Sequence, residues 1–429
     1  MGRRRLGAPR HFLAPLIACG SLISPAVAEA QDWSVDLEGA TRLRVDGYDN
    51  PVFGLQAAED FMSLQYRATG KASAKHSSGF SAVLELGYYD EAGRSPGPRR
   101  TDRNHGDILQ AYLSYTEAFA AWDWDVRLGR QRNPQGQSRL NAGREAPNAI
   151  RSFDGVSLSA SRGDVRLSLF ALRPVKGSFG SFDDQTDYSE GFWGGYLSNL
   201  DVAGTLHADL YYFGRKDEQA RWAQGAGSEE RHSIGSRIFG DVAGWTGNIE
   251  LIYQFGQFES APLKAWGAGW EISRPVSTPG RRLDVGLRGN VVSGDKDPDD
   301  PSLQTFSAIY PRFTYYSPSA TLAPTNSWDV QVFSDLELTS ASTLAIAAGL
   351  IERLEPGDDV YAVPYVPLGF ADGPSDSAIG KIISIEYQNQ ITPKASVTGS
   401  LTYIRAGPLL RSSGGEDITH FAITLSNRF

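Results

Sequence analysis

Arginines recur at alternate positions against apolar neighbours. Arg42 and Arg44 flank Leu43, Arg67 follows Tyr66, Arg127 lies between Val126 and Leu128, and Lys71, Arg166, Arg215, Arg237 and Arg288 repeat the arrangement. Acids share that phase, among them Asp36, Glu38, Glu85, Asp125, Asp209, Glu250, Asp284, Asp329, Asp335, Glu337 and Glu386. If the intervening apolar residues occupy one face of an extended chain, the charges occupy the other. A guanidinium offers a planar, two-point donor set that matches a carboxylate, so such a face attracts anionic solutes. The acids allow a plainer role beside it, in which arginines only brace the wall through carboxylate pairs.

Other chemistries are thinly represented. Beyond the N-terminal segment the histidines are His76, His105, His207, His232 and His420. His207 and Asp209 share a face but read more simply as a wall pair, and no G-x-S-x-G stands at a strand-helix junction, which argues against an enzyme. No G-x-x-x-x-G-K loop is present to drive transport by nucleotide hydrolysis. The single Cys, Cys19, rules out an intrachain disulfide and any cysteine cluster for zinc or iron. Asp295 to Asp300 resembles a calcium loop, but its sixth position is Asp300 rather than Gly and its twelfth is Phe306 rather than Glu. It reads as a solvated acidic turn; no metal and no cofactor is expected.

The elements that must position these residues are strands. No helical period persists, whereas strict alternation recurs, as in Met62/Leu64/Tyr66/Ala68, Phe80/Ala82/Leu84/Leu86/Tyr88, Ile249/Leu251/Tyr253/Phe255 and Phe421/Ile423/Leu425. About eighteen such segments begin near Trp33, Phe61, Phe80, Ile108, Trp122, Phe153, Val165, Phe192, Leu206, Arg231, Trp245, Leu263, Leu283, Trp328, Leu344, Ile379, Ala395 and Ile418. Short turns such as Ser161 to Asp164, Asp201 to Gly204 and Asp241 to Gly244 alternate with long polar stretches: 47–59, 91–106, 132–151, 176–190, 216–230, 293–326, 352–377 and 406–417. Only the connection at 257–262 breaks the rhythm by being short. Long external loops, short periplasmic turns and an even strand number define a single antiparallel transmembrane β-barrel. A soluble β-protein has no reason to alternate its loop lengths in this way.

Composition fits one barrel better than several domains. The 429 residues are 41% hydrophobic with a mean hydropathy of -0.32, too polar for a helical transporter but suited to one apolar face in two. Trp122, Trp124, Trp245, Trp266, Trp270, Trp328, Tyr66, Tyr88, Tyr253, Tyr387 and Tyr403 lie near ends of apolar faces, where interfacial girdles collect amphipathic rings. Residues 1–30 read as a cleaved signal peptide, with Arg3, Arg4, Arg5 and Arg10 before the apolar stretch Phe12 to Ile23, and small-x-small sites at Ala26–Ala28 and Ala28–Ala30. Leu16-Ile17-Ala18-Cys19 has the form of a lipoprotein box, but the apolar core before it is short. Removing four Arg and Glu29 takes the net charge from -9 to -12, which disfavours nucleic-acid binding. Much of that charge falls in segments expected to face outside, namely Asp183-Asp184, Asp295 to Asp300 and Asp358-Asp359. Residues 31–429 are assigned to the barrel.

Several blocks resemble the alginate-export family of outer-membrane porins: Arg127-Leu128-Gly129-Arg130-Gln131, then Pro147 to Gly155 with its Arg151-Ser152-Phe153-Asp154-Gly155, then Tyr253-Gln254-Phe255-Gly256, Ser293 to Pro301 and the terminal Arg428-Phe429. The resemblance implies an eighteen-stranded monomer that exports a polyuronate through an arginine-lined constriction. It carries a pore role to Arg44, Arg67, Arg127, Arg130, Arg151 and Asp154, and further to Arg288 and Arg312; Arg166 joins them by phase. Arg130 lies in the outward phase of its strand and reaches the pore only if the strand has ended and the loop folds inward.

The expected function is passive passage of polar, anionic solutes such as an alginate-like polysaccharide across the outer membrane of a Gram-negative bacterium. A small-solute porin of the same fold is the alternative, with a barrel enzyme or adhesin behind it. Expected partners are outer-membrane lipids, lipopolysaccharide, the solute itself, and the barrel-assembly machinery acting on Phe429. The sequence leaves open whether loops plug the lumen.

Overall fold

The computed structural model describes residues 32–429 apart from 57, 58, 145, 279, 298, 372 and 374, so the expected signal peptide, Cys19 and Pro298 of the acidic turn lie outside the described residues. Eighteen antiparallel strands form one closed barrel. In chain order β1 to β9 are Trp33–Asp49, Phe61–His76, Phe80–Ala92, Asn104–Phe119, Trp122–Gln131, Phe153–Arg162, Val165–Lys176, Glu190–Ala203 and Leu206–Trp222. Strands β10 to β18 are Gly225–Val242, Trp245–Phe258, Ala261–Thr278, Arg281–Val292, Ser327–Thr339, Ser342–Arg353, Ala378–Thr392, Ala395–Ala406 and Ile418–Arg428. Each strand pairs with its sequence neighbours, and β1 pairs with β18 from Ala40↔Arg428 to Asp49↔Thr419 to close the ring. Closure matters because a lipid-exposed sheet edge would leave backbone groups unpaired in hydrocarbon.

Each strand start expected from alternation has its strand. Ten coincide, and the rest begin one to six residues earlier, six of them where the external end continues the ladder and β13 and β15 where Arg281 and Ser342 extend the periplasmic end. The largest departure is at residues 216–230, expected as a long loop. There β9 and β10 extend as a hairpin that turns only at Ala223 and Gln224. Its tip is structured because Ala220 and Trp222 bury against Leu303, Ala323 and Tyr361. Periplasmic turns are tight, and Gly163 and Gly204 supply their left-handed residues at φ 58° and 59°.

The outward face is apolar along the wall. Leu64, Leu84, Leu128, Leu251, Val332, Ile383 and Ile423 are exposed, as lipid contact requires. Trp33, Trp245, Trp266, Tyr66, Tyr253 and Tyr403 are exposed too, near strand ends where rings bridge hydrocarbon and headgroups. The inward face departs from a uniformly polar wall. Over β6 to β9 its external half carries Phe153, Phe170, Phe192, Tyr196, Tyr211 and Phe213, all buried. These rings are dry because two external loops fold down onto them: L3 (132–152), between β5 and β6, and L7 (293–326), between β13 and β14. Phe306, Ile309 and Tyr310 of L7 and Leu140 of L3 complete the cluster.

Candidate pore and its constriction

The inner loops begin with an arginine latch. Arg67, inward on β2, donates from Nε to the Asn148 carbonyl at 2.7 Å and from Nη2 to the Pro147 carbonyl at 2.7 Å. Arg42, beside it on β1, donates to the Pro147 carbonyl and to Asn148 Oδ1, both at 3.1 Å. Asn148 is fully buried. Its Nδ2 reaches the carbonyls of Tyr66, Asp90 and Asp102, and its backbone N–H donates to Asp102 Oδ1. One side chain thus joins L3, β2, β3 and the second external loop, and each such bond adds about 1 kcal/mol net when its partners are retained. Burial works against the Asp102 charge, but Arg99 and Arg94 outweigh it and hold its carboxyl below the usual range.

L3 and L7 pair across the lumen. The Ala142 N–H donates to the Tyr310 carbonyl at 2.8 Å, the Tyr310 N–H to the Leu140 carbonyl at 2.9 Å and the Arg312 N–H to the Ser138 carbonyl at 3.1 Å. Arg139 of L3 bonds Glu250 on β11 at 2.9 Å and Asn290 on β13, with its guanidinium 4.7 Å from the Tyr315 ring centroid. Gln331 on β14 holds the Tyr316 carbonyl at 3.1 Å. The result is a strap anchored on the wall at both sides. Arg151 stacks over Tyr310 at 4.5 Å, and its Nη1 is buried without a hydrogen-bond partner. Burial lowers its pKa. Burial and the nearby Arg151 push Arg144 down to about 9.

Two cavities border the strap. The first, of about 220 Å³, is lined by Arg44, Arg288 and Arg312 together with Asp335, Glu386, Ser384, Thr398, Ser400 and Thr424. Arg288 donates to Gln331 at 3.1 Å and 3.3 Å, and Arg312 donates from Nε to Thr314 at 2.8 Å. Arg44 is shared with Asp46 at 2.8 Å. Arg288 and Arg312 therefore keep donors for a solute, since their partners are neutral and occupy only one side of each guanidinium. The second cavity, of about 450 Å³, brings together Arg127, Arg132, Arg166, Arg237 and Asp209 beside L3 residues 133–137. Arg127 pairs with Asp125 at 3.0 Å and Arg237 with Asp209 at 2.9 Å, whereas among the described residues the Arg166 guanidinium bonds only Ser159, at 3.5 Å.

The sequence-derived site residues therefore separate. Arg44, Arg288 and Arg312 share one cavity, and Arg127 and Arg166 share the other. Arg67 is buried under L3, and Arg151 is packed within the strap. Arg130 and Asp154 face each other in register on the outward side, continuing the exposed pair Leu128↔Val156, and form a two-point bridge at 2.9 Å and 3.1 Å. Thr186 caps that bridge from the fourth external loop, so this pair does not line the lumen: strand β5 has not ended at Arg130, and the residue keeps its outward phase. Arg139 and Asn148 escaped the sequence reading. The signal for them was the aromatic content of 306–316, too apolar for a solvated loop.

The acidic loops need a second correction. Asp295, Asp358 and Asp359 are buried rather than solvated. Asp359 accepts from the N–H groups of Val360, Leu368, Gly369 and Phe370, while Asp358 accepts from Thr305, Tyr361 and the Asp295 N–H. These carboxylates organise L7 and L8 (354–377) because long loops leave many backbone donors to satisfy. Burial pushes Asp295 up to about 6, against the N–H groups of Gln304 and Asp297 that favour its charge.

A closed, lipid-faced barrel whose lumen is narrowed by inward loops is an outer-membrane channel, and solved porins share the fold. OccAB1 of Acinetobacter baumannii is similar at a TM-score of 0.60 and 13% identity, over 92% of this chain and 96% of that one. OccK5 (OpdH) of Pseudomonas aeruginosa gives 0.57 and 10%, over 93% and 98%, and a BenF-like porin from Pseudomonas fluorescens Pf-5 gives 0.58 and 10%, over 93% and 99%. No curated protein matches the chain by sequence. The chain belongs to the alginate export family, whose model matches residues 34–422.

Proposed function

We propose that this barrel gives passive passage to carboxylate-bearing solutes, with a polyuronate chain as the polymeric member of that class. The observation that carries the proposal is the first cavity, where Arg44, Arg288 and Arg312 share one lining with Asp335 and Glu386. Guanidinium donors interspersed with acids hold a carboxylate transiently without trapping it, because binding in a conduit must be weak enough to release. The polar hydroxyls around the cavity suit a sugar acid. Membership of the alginate export family supports the polymer. The strap supports a second reading, small carboxylates, because L3 and L7 cross the lumen and are hydrogen-bonded to the wall. No covalent chemistry is required of the chain in either reading. The barrel acts as a monomer, and Phe429, exposed at the end of the closing strand, is the residue offered to the assembly machinery.

Single-channel conductance of the purified barrel in planar bilayers tests this. Anion preference is expected, with concentration-dependent block by polyuronate and by monomeric uronate but not by a neutral oligosaccharide. Block by the monomer alone selects the small-solute reading. No conductance, or equal block by the neutral sugar, overturns both.

A further inference from the structure

The outward face holds charges that the pore does not use. At the external rim most of them are matched across strands. Arg130 stands opposite Asp154 on β5 and β6, and Lys216 stands opposite Glu230 on β9 and β10. One position breaks this order: Lys381 on β16 stands directly opposite Arg405 on β17. Like charges facing each other across a sheet destabilise it. Both side chains are exposed, and among the described residues neither makes a hydrogen bond or ion pair.

The surroundings supply too little negative charge to offset them. Asp417 lies next to the pair and attracts Arg405, but its one charge is shared with Arg411 and it already accepts from the Tyr403 hydroxyl at 2.6 Å and from the Ala406 N–H at 2.9 Å. Glu352 on β15, also outward, takes the Ser377 hydroxyl at 3.2 Å. Immediately toward the membrane come the exposed Ile383, Ile385, Leu401 and Tyr403. The two cations therefore sit where the hydrocarbon ends and headgroups begin, over an apolar face that accepts acyl chains and beside an interfacial tyrosine.

The geometry points to a binding site for a phosphorylated glycolipid of the outer leaflet, held by its phosphate between Lys381 and Arg405 with its acyl chains along Ile383, Leu401 and Tyr403. The phosphate removes the repulsion between the facing cations. An anionic headgroup attracts basic side chains at a membrane surface, and two adjacent donors fix its position.

The full barrel, purified in detergent and examined by native mass spectrometry with bisphosphorylated lipid A, dephosphorylated lipid A or inorganic phosphate, tests the site. Wild-type protein is expected to retain the bisphosphorylated lipid several-fold better than the dephosphorylated one, and an excess of inorganic phosphate is expected not to displace it. The double variant Lys381→Gln with Arg405→Gln should lower retention at least five-fold, while the charge-preserving Lys381→Arg with Arg405→Lys restores it. Lys394→Gln, in a periplasmic turn, should leave it unchanged. Heat-modifiable gel mobility verifies that each variant is a folded barrel. Retention in the folded double Gln variant equal to wild type overturns the proposal, as does equal retention of the dephosphorylated lipid or full displacement by inorganic phosphate.

Discussion

Two groups of arginines share the inward phase and look alike in the sequence, yet they do different work. Arg42 and Arg67 spend their donors on the Pro147 and Asn148 backbone and hold L3 in place. Arg288 and Arg312 lean on a neutral glutamine and a threonine and keep donors directed at open space. The difference lies in what fills the lumen beside them. Phase places a side chain inside the barrel, and the inner loops then decide whether it meets peptide or solute.

The sharpest way to break this contrast is to cut the latch. Asn148→Ala removes a fully buried side chain and the hydrogen bonds it gives to three backbone carbonyls, at a cost of about 2 to 4 kcal/mol. Single-channel recording should then show conductance raised several-fold with noisy open levels, and the midpoint of thermal barrel unfolding should fall. Unchanged conductance would remove L3 from the constriction.

Reversing charge at the open group comes next. Arg288→Glu with Arg312→Glu should invert or abolish anion preference, read as a shift of reversal potential in a salt gradient, with uronate block weakened at least ten-fold. Arg67→Glu, by contrast, should act through L3, changing conductance and noise more than selectivity. Similar selectivity losses from both variants would collapse the distinction between latch and pore.

A smaller effect should follow pH. Because the Asp295 pKa is raised in the folded chain to about 6 from an ordinary 3.8, the folded state binds the proton more tightly. Its stabilising effect is complete below about pH 4 and is lost as pH rises through about 6. Amide protection factors at 302–306, taken relative to the intrinsic exchange rate at each pH, should accordingly be larger at pH 5 than at pH 7.5, and Asp295→Asn should flatten that difference. Protection that is weaker at pH 5 would contradict the sign.

The smallest change is expected from Arg130→Ala, which removes an outward bridge to Asp154 and should cost about 1 kcal/mol or less with ion selectivity intact. A shift of reversal potential in this variant would mean that the residue reaches the lumen after all.

What the sequence disclosed follows from where the solvent imposes a rule. Lipid demands an apolar residue at every second outward position, so alternation located all the strands and set the phase of Arg44, Arg127 and Arg288 correctly. Arg130 also obeyed its phase; the motif resemblance alone drew it toward the pore. The lumen imposes no such rule. Phe170, Phe192 and Phe213 stand in inward positions that phase alone would make polar, and the fit of Tyr310 among them depends on a contact between residues more than a hundred positions apart. Within the acidic runs Asp183, Asp297 and Asp299 are exposed as expected, but Asp295, Asp358 and Asp359 misled for the same reason, since burial of Asp359 depends on four N–H groups that a loop presents only once folded.

Closure also governs the order in which this molecule can form. The strands that seal the ring, β1 and β18, lie at opposite ends of the described chain, so the pairing of greatest sequence separation is the one that finishes the wall. Contacts of that kind are slow to form, because a long loop must close before they repay it. Until β18 arrives, the growing sheet carries two open edges, each able to pair with another chain. The final ladder includes the reciprocal bonds between Gly39 and Phe429, with the Phe429 ring packed in the space that a Gly39 side chain would need. A bulky residue at position 39 would therefore leave most of the wall free to assemble while delaying its seal, and the trace of that delay would be oligomers joined edge to edge rather than unfolded chain.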